Sequence, residues 1–150
     1  MKKVLYICTH NRCRSILFEA ITNHTFGEKI QAKSAGSQPV GEVYPMTLHT
    51  LNQAGISTHG LKSQSWDQLE SFAPDLVITV CDSAAGESCP VWFGQAKRLH
   101  WGIVDPSKLQ NEYESQLAFH KTISEIQEKI QQLPIILKEI TQTQTEEAGV

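Results

Sequence analysis

Two short runs of nearly uninterrupted apolar residues constrain this chain most: Val4 to Ile7 near the start, and DLVITVC from Asp75 to Cys81. Both lack the alternation of a half-exposed strand and suit strands covered on two faces, the pattern of a parallel sheet. Parallel neighbours need crossover connections, and helical spacing follows the first run: SILFEAITNHTF sets Ile16, Leu17, Ala20, Ile21 and His24 on a helix. A second strand is expected over Ile30 to Ala35, stopped by Gly36. A second helix is expected from Pro45 to Gln53, with a proline in its first turn and Gly55 after its end. A short helix over Trp66 to Ser71 and a brief last strand over Arg98 to His100 follow. Leu117, Ile123, Ile126, Ile130 and Leu133 then recur on a closing amphipathic helix, which Pro134 bends or interrupts before Ile135 to Ile140. The expected fold is α/β: an open, mostly parallel four-stranded sheet flanked by helices on both faces, one domain over 1–140 with a frayed tail over 141–150.

Composition narrows what such a domain does. With 13 Lys+Arg against 16 Asp+Glu the net charge is −3, so no basic field holds a nucleic acid, although local anion binding stays open. No apolar run approaches the roughly 18 residues of a membrane helix, and a cytoplasmic protein is expected, with no membrane partner. Thiols stay reduced there, so Cys8, Cys13, Cys81 and Cys89 call for an explanation other than a disulfide framework. Two of them, Cys8 and Cys81, stand at the carboxyl ends of the two most buried strands, where open α/β sheets collect ligands.

The loop CTHNRCRS, Cys8 to Ser15, lies between a buried strand and a helix start. Its backbone N–H groups can curl around an anion while the helix turns its positive end to the same point. Arg14 adds a planar fork for two oxygens. A cysteine at the first position shares that field, which depresses a thiol pKa. The expected oxyanion cradle is Thr9, His10, Asn11, Arg12, Cys13, Arg14 and Ser15, with Cys8 as nucleophile. Cys13 reads as packing behind the loop. The nucleotide-loop pattern GxxxxGK[ST] is absent.

Cys-x5-Arg-Ser after an N-terminal strand, with Asn11 inside the loop and Asp105-Pro106 about 90 residues on, resembles the low-molecular-weight protein tyrosine phosphatase family. The resemblance implies that Asn11 holds an unusual loop backbone, Ser15 hydrogen-bonds the thiolate and Asp105 is the general acid. His10 replaces the glycine common in that family, and Ser107 replaces the aromatic residue that shapes a phosphotyrosine slot. Phosphatase chemistry leaves Cys81 and Cys89 unused. VCDSAAGESCPVW instead resembles the thioredoxin-coupled arsenate reductases on the same fold, as does His100 to Pro106. That resemblance implies catalytic Cys8, Arg14, Cys81, Cys89 and Asp105, with one disulfide passing from Cys8–Cys81 to Cys81–Cys89. It implies arsenate or a phosphate-like oxyanion as substrate, and thioredoxin rather than glutaredoxin as external reductant. No tightly bound cofactor and no metal are expected. Those reductases carry a potassium ion beside the loop, where Asn11, Glu19 and Ser34 match ligands, and the Lys62 ammonium is expected to stand in for the ion.

Two alternatives stay open at this stage. One is a phosphatase hydrolysing phosphotyrosine through a Cys8 phosphocysteine. The other is a non-enzymatic metal or metalloid binder, disfavoured by Cys-x4-Cys and Cys-x7-Cys spacings where zinc sites use Cys-x2-4-Cys. His24, His49, His59 and His120 read as surface or boundary residues, and Trp66, Trp92 and Trp101 as packing, with Trp92 and Phe93 open to a role in docking the reductant.

Overall fold

A computed structural model describes residues 1–81, 96–109 and 111–148. The strands are β1 (Lys2–Ile7), β2 (Ile30–Ala35), β3 (Leu76–Thr79) and β4 (Lys97–His100). The helices are α1 (Arg14–Phe26), α2 (Pro45–Gln53), α3 (Glu112–Lys129) and α4 (Leu133–Ala148), with 3-10 turns over Trp66–Phe72, Pro106–Lys108 and Ile130–Gln132. All strand pairs are parallel, in the order β2-β1-β3-β4. Successive side chains of a strand point to opposite faces, and Val4, Leu5, Tyr6 and Ile7 are all buried. Both faces of β1 are therefore covered, as its apolar run requires. The edge strand β4 is mostly exposed and correspondingly polar.

Helix α1 buries Ile16, Leu17, Phe18, Ala20 and Ile21. Each such apolar side chain contributes roughly 1.5–3 kcal/mol of transfer free energy. Tyr6 stacks on Phe18 with ring centroids 4.9 Å apart, and its hydroxyl bonds Thr22 Oγ1 at 2.7 Å, so a buried phenol keeps a partner. Proline also acts as expected. The 3-10 turn over Ile130–Gln132 separates α3 from α4, and Pro134 sits in the first turn of α4, where its missing N–H costs little. Helix α4 runs to Ala148, into the stretch expected as a frayed tail over 141–150. Extending an existing helix costs far less than nucleating one, so the buried Leu133, Leu137 and Ile140 support further turns. Among the described residues no helix is long and apolar enough to cross a membrane.

The order of the strands places the site. From β1 the chain crosses to one side for β2 and to the other for β3, so the carboxyl ends of β1 and β3 flank the point where strand order reverses. Ile7 pairs with Thr79, and the Val80 N–H donates to Ile7 O at 3.0 Å. Cys8 and Cys81 follow immediately, both buried.

Candidate active site

The loop after β1 is held from every side. The Cys8 N–H donates to Ala35 O at the end of β2, and the Asn11 N–H donates back to Cys8 O. Asn11 has φ +45°, the left-handed region that asparagine tolerates better than most residues. Its side chain secures that turn: Nδ2 donates to Ser15 Oγ at 2.8 Å, and Oδ1 accepts the Gln64 N–H at 2.8 Å. Further along, Thr9 O, His10 O and Arg12 O accept the N–H groups of Gln38, Val40 and Tyr44. With its carbonyls tied outward, the loop leaves N–H groups for an anion at the start of α1.

Cys8 and Cys81 meet at this point. Their sulfurs are hydrogen-bonded to one another, and Thr9 Oγ1 lies 3.9 Å from Cys81 Sγ. Both are free thiols, as is Cys13. The bond to Cys81, and then burial, hold the Cys8 thiol well above its ordinary pKa, while Arg14 pulls the other way. A depressed value was expected from the loop alone. The difference comes from Cys81 and from burial. Ser15 Oγ accepts from Asn11, which leaves its own hydroxyl hydrogen to donate. Cys13 packs as expected, and burial pushes its thiol up to about 12.

Asp105 reaches the loop from the far side of the sheet. The Trp101 N–H donates to Thr79 O and the Ile103 N–H to Val80 O, which lays the segment after β4 along the end of β3. Arg14 Nη1 then donates to Ile103 O at 3.2 Å, and Arg14 Nη2 lies 3.8 Å from Asp105 Oδ2, with both side chains mostly covered. Burial works to raise the Asp105 pKa, but hydrogen bonds from the Ser107 hydroxyl and amide and the charges of Arg14 and Arg12 outweigh it and hold the carboxyl below its ordinary value. A thiol, a guanidinium, a carboxyl and a second thiol thus converge on one loop at a helix start. Such a set can attack an oxyanion and protonate a departing oxygen. It can also form a disulfide at the attacking sulfur.

Residues 3–145 match the family described as low molecular weight phosphotyrosine protein phosphatase. The chain belongs to that family. It is 34% identical over 130 residues to an arsenate reductase of Bacillus licheniformis, spanning 86% of this chain and 92% of that one. It is 31% identical over 122 residues to the arsenate reductase of Bacillus subtilis, spanning 81% of this chain and 86% of that one. An arsenate reductase solved in the phosphate-binding state is similar at TM-score 0.74 and 25% identity, over 93% of this chain and 99% of that chain. A thioredoxin-dependent arsenate reductase of Corynebacterium glutamicum is similar at TM-score 0.70 and 26% identity, over 92% of this chain and 62% of that chain.

Within this family member the residues matched to a potassium site satisfy one another. Glu19 Oε1 accepts the Ser34 hydroxyl at 2.7 Å, Ser34 O accepts Gln64 Nε2 at 3.1 Å, and Asn11 Oδ1 is taken by the Gln64 N–H. Each of these oxygens thus takes a hydrogen bond from the protein and keeps a further lone pair. Lys62 does not fill the place of a potassium ion by contact. It is exposed and forms no ion pair among the described residues, acting on Glu19 only through its charge, as Lys33 does.

Burial pushes the Glu19 carboxyl up to about 7 from its ordinary 4.5, against the Ser34 hydrogen bonds and the two lysine charges. The folded state therefore keeps a proton that the unfolded chain has lost between those values. The corresponding stability is whole below about pH 4.5 and lost as pH rises through about 7. Glu19→Gln is expected to reduce the fall in unfolding free energy between about pH 5 and pH 8 by on the order of 2 kcal/mol. Denaturant titrations at the two pH values test this, and an unchanged difference would contradict it.

Three roles at the site escaped the sequence. Gly36 read as a strand stop, yet a Cβ there would lie 2.4 Å from Thr9 O and 2.5 Å from Cys8 O, so only glycine lets the end of β2 press against the loop. Gln64 supplies the bonds to Asn11 and Ser34 from 53 and 30 residues away. Arg12 turns its side chain from the cradle to bond Ser107. Of these, only the Arg12 contact left a trace in the sequence, through Ser107 standing where the family usually has an aromatic residue. Cys89, Trp92 and Phe93 lie outside the described residues.

Proposed function

We propose that this chain is an arsenate reductase that works through a thiol relay from Cys8 to Cys81 to Cys89 and is recycled by thioredoxin. The proposal is carried by the meeting of two free thiols, Cys8 and Cys81, beside Arg14 and Asp105. Hydrolysis of a phosphate ester uses only the first thiol, whereas arsenic(V) must accept two electrons, and a thiol pair supplies them. The arsenate reductases of Bacillus licheniformis and Corynebacterium glutamicum support the same substrate and, for the latter, the same reductant.

Arsenate would sit on the loop amides and the Arg14 fork. The Cys8–Cys81 pair titrates as a unit, and Arg14 with the N-terminal end of α1 favours its first negative charge on Cys8. The Cys8 thiolate attacks arsenic, and an arsenate oxygen leaves as water with the proton of Asp105. Asp105 is ionised beside two arginines in the free protein, and the bound dianion, by drawing on those charges, lets it take up that proton. Cys81 then attacks the Cys8 sulfur. The sulfur–arsenic bond breaks with its electron pair going to arsenic, arsenite departs in the +3 state, and Cys8–Cys81 is the disulfide formed. Cys89 attacks Cys81 and frees Cys8, and thioredoxin reduces Cys81–Cys89.

The test couples arsenate-dependent oxidation of thioredoxin to NADPH consumption through thioredoxin reductase. The unmodified protein is expected to turn over continuously, and Cys89→Ser to release one arsenite per enzyme and stop. Sustained turnover by Cys89→Ser would refute the three-thiol relay.

A further inference from the structure

Asp105 is not held by Arg14 alone. Arg12 Nη2 donates to Ser107 Oγ at 2.9 Å, Ser107 Oγ donates to Asp105 Oδ1 at 2.6 Å, and the Ser107 N–H donates to the same oxygen at 2.9 Å. The chain of bonds has a direction. Arg12 can only donate, so it occupies a lone pair of the Ser107 oxygen and leaves the hydroxyl hydrogen for Asp105. Oδ1 then accepts two hydrogen bonds, and a proton on the carboxyl resides on Oδ2, the oxygen nearest Arg14. Arg12 is itself planted. Its guanidinium lies 4.6 Å from the centre of the Tyr44 ring, the Tyr44 N–H donates to Arg12 O, and Tyr44 stacks on Phe119 of α3.

We propose that Arg12 is a positioning residue for the proton donor: through Ser107 it sets the Asp105 carboxyl with Oδ2 as the proton-bearing oxygen turned toward the bound oxyanion. The proposal rests on the assignment of Asp105 as general acid. It also gives a use to Ser107, whose small hydroxyl admits the guanidinium where an aromatic ring would exclude it. A dianion-binding role for the Arg12 side chain fits less well, because the fork is spent on Ser107 and Tyr44.

The charged and titratable groups that act on Asp105 are Arg14 and Arg12, and the Cys8 and Cys13 thiols feel its charge in turn. From the helix behind, Glu125, Glu128 and Lys129 line the cavity beside Gly102 to Val104, and none is within ion-pair distance of Asp105.

The experiment compares Arg12→Ala, Ser107→Ala and the double variant by two measurements. The first is a carbon-13 titration of the Asp105 carboxyl in the free protein, which needs no substrate. Its midpoint is expected to move to higher pH in each single variant, and Arg12→Ala is expected to add less than half its own shift once Ser107 is alanine. The second is arsenate turnover, where kcat is expected to fall on the order of tenfold with KM changed less than twofold, and the descending limb of kcat against pH, which reports the complex, to move in the same direction as the carboxyl titration. An unmoved Asp105 titration, fully additive shifts, or a rise in KM at constant kcat would overturn the relay. Should the unmodified protein not reduce arsenate, the functional assignment fails, and the carboxyl titration still decides the role of Arg12. If Arg12→Ala does not fold, Ser107→Ala tests the same link by both measurements.

Discussion

Cys8→Ser is expected to lower arsenate turnover by about 10⁴-fold or more, leaving a folded protein that still binds the oxyanion. Arg14, the loop amides and α1 would remain around the residue, but that surrounding charge favours a thiolate far more readily than an alkoxide, which starts many pH units higher. Serine is also smaller than cysteine and hydrogen-bonds more strongly, so it fits a buried site next to Cys81 without unfolding the loop. Arsenite release measures the loss, and phosphate protection of the melting temperature shows that the cradle survives. Turnover within tenfold of the unmodified protein would remove Cys8 from the role of nucleophile.

Cys81→Ala is expected to abolish arsenite production and leave hydrolysis of a small aryl phosphate within a few-fold. This variant separates reduction from hydrolysis, because only reduction needs a second sulfur to break the bond between Cys8 and arsenic. A third readout follows from the geometry. Hydrogen bonding with Cys81 is the largest influence raising the Cys8 pKa, so its removal lowers that pKa and speeds alkylation of Cys8 by iodoacetamide near neutral pH. Continued arsenite release, or slower alkylation, would contradict the pairing of these thiols.

Much of the fold was legible because burial writes itself into short sequence windows. The run Val4 to Ile7 needs cover on both faces, which only a central parallel strand receives, and β1 is that strand. Pro45 marked a first turn, where a missing N–H is harmless, and Pro134, expected to interrupt the closing helix, stands in the first turn of α4 for the same reason. The loop from Cys8 to Ser15 was legible as a strand-to-helix connection, since Cys8, Asn11 and Arg14 sit within eight residues, and the structure adds the positive φ of Asn11. The tail offered no such window: its lack of apolar anchors says nothing of a helix already running when it arrives, and α4 runs to Ala148.

Sequence by itself determined the local order: a strand, a polar loop and a helix in immediate succession, with thiols at the ends of two buried runs. Those properties follow from neighbours along the chain, where hydrophobic period and backbone geometry operate over a few residues. Tertiary structure alone decided that Cys8 lies against Cys81, that Gly36 must lack a side chain, and that Arg12 reaches Ser107 across 95 positions. These depend on the order β2-β1-β3-β4, which brings the ends of β1 and β3 together, and on close approaches between segments that no local pattern encodes. The pKa of Cys8 shows the division most directly. The loop viewed alone depresses it, and a sulfur that folding brings from 73 residues away raises it.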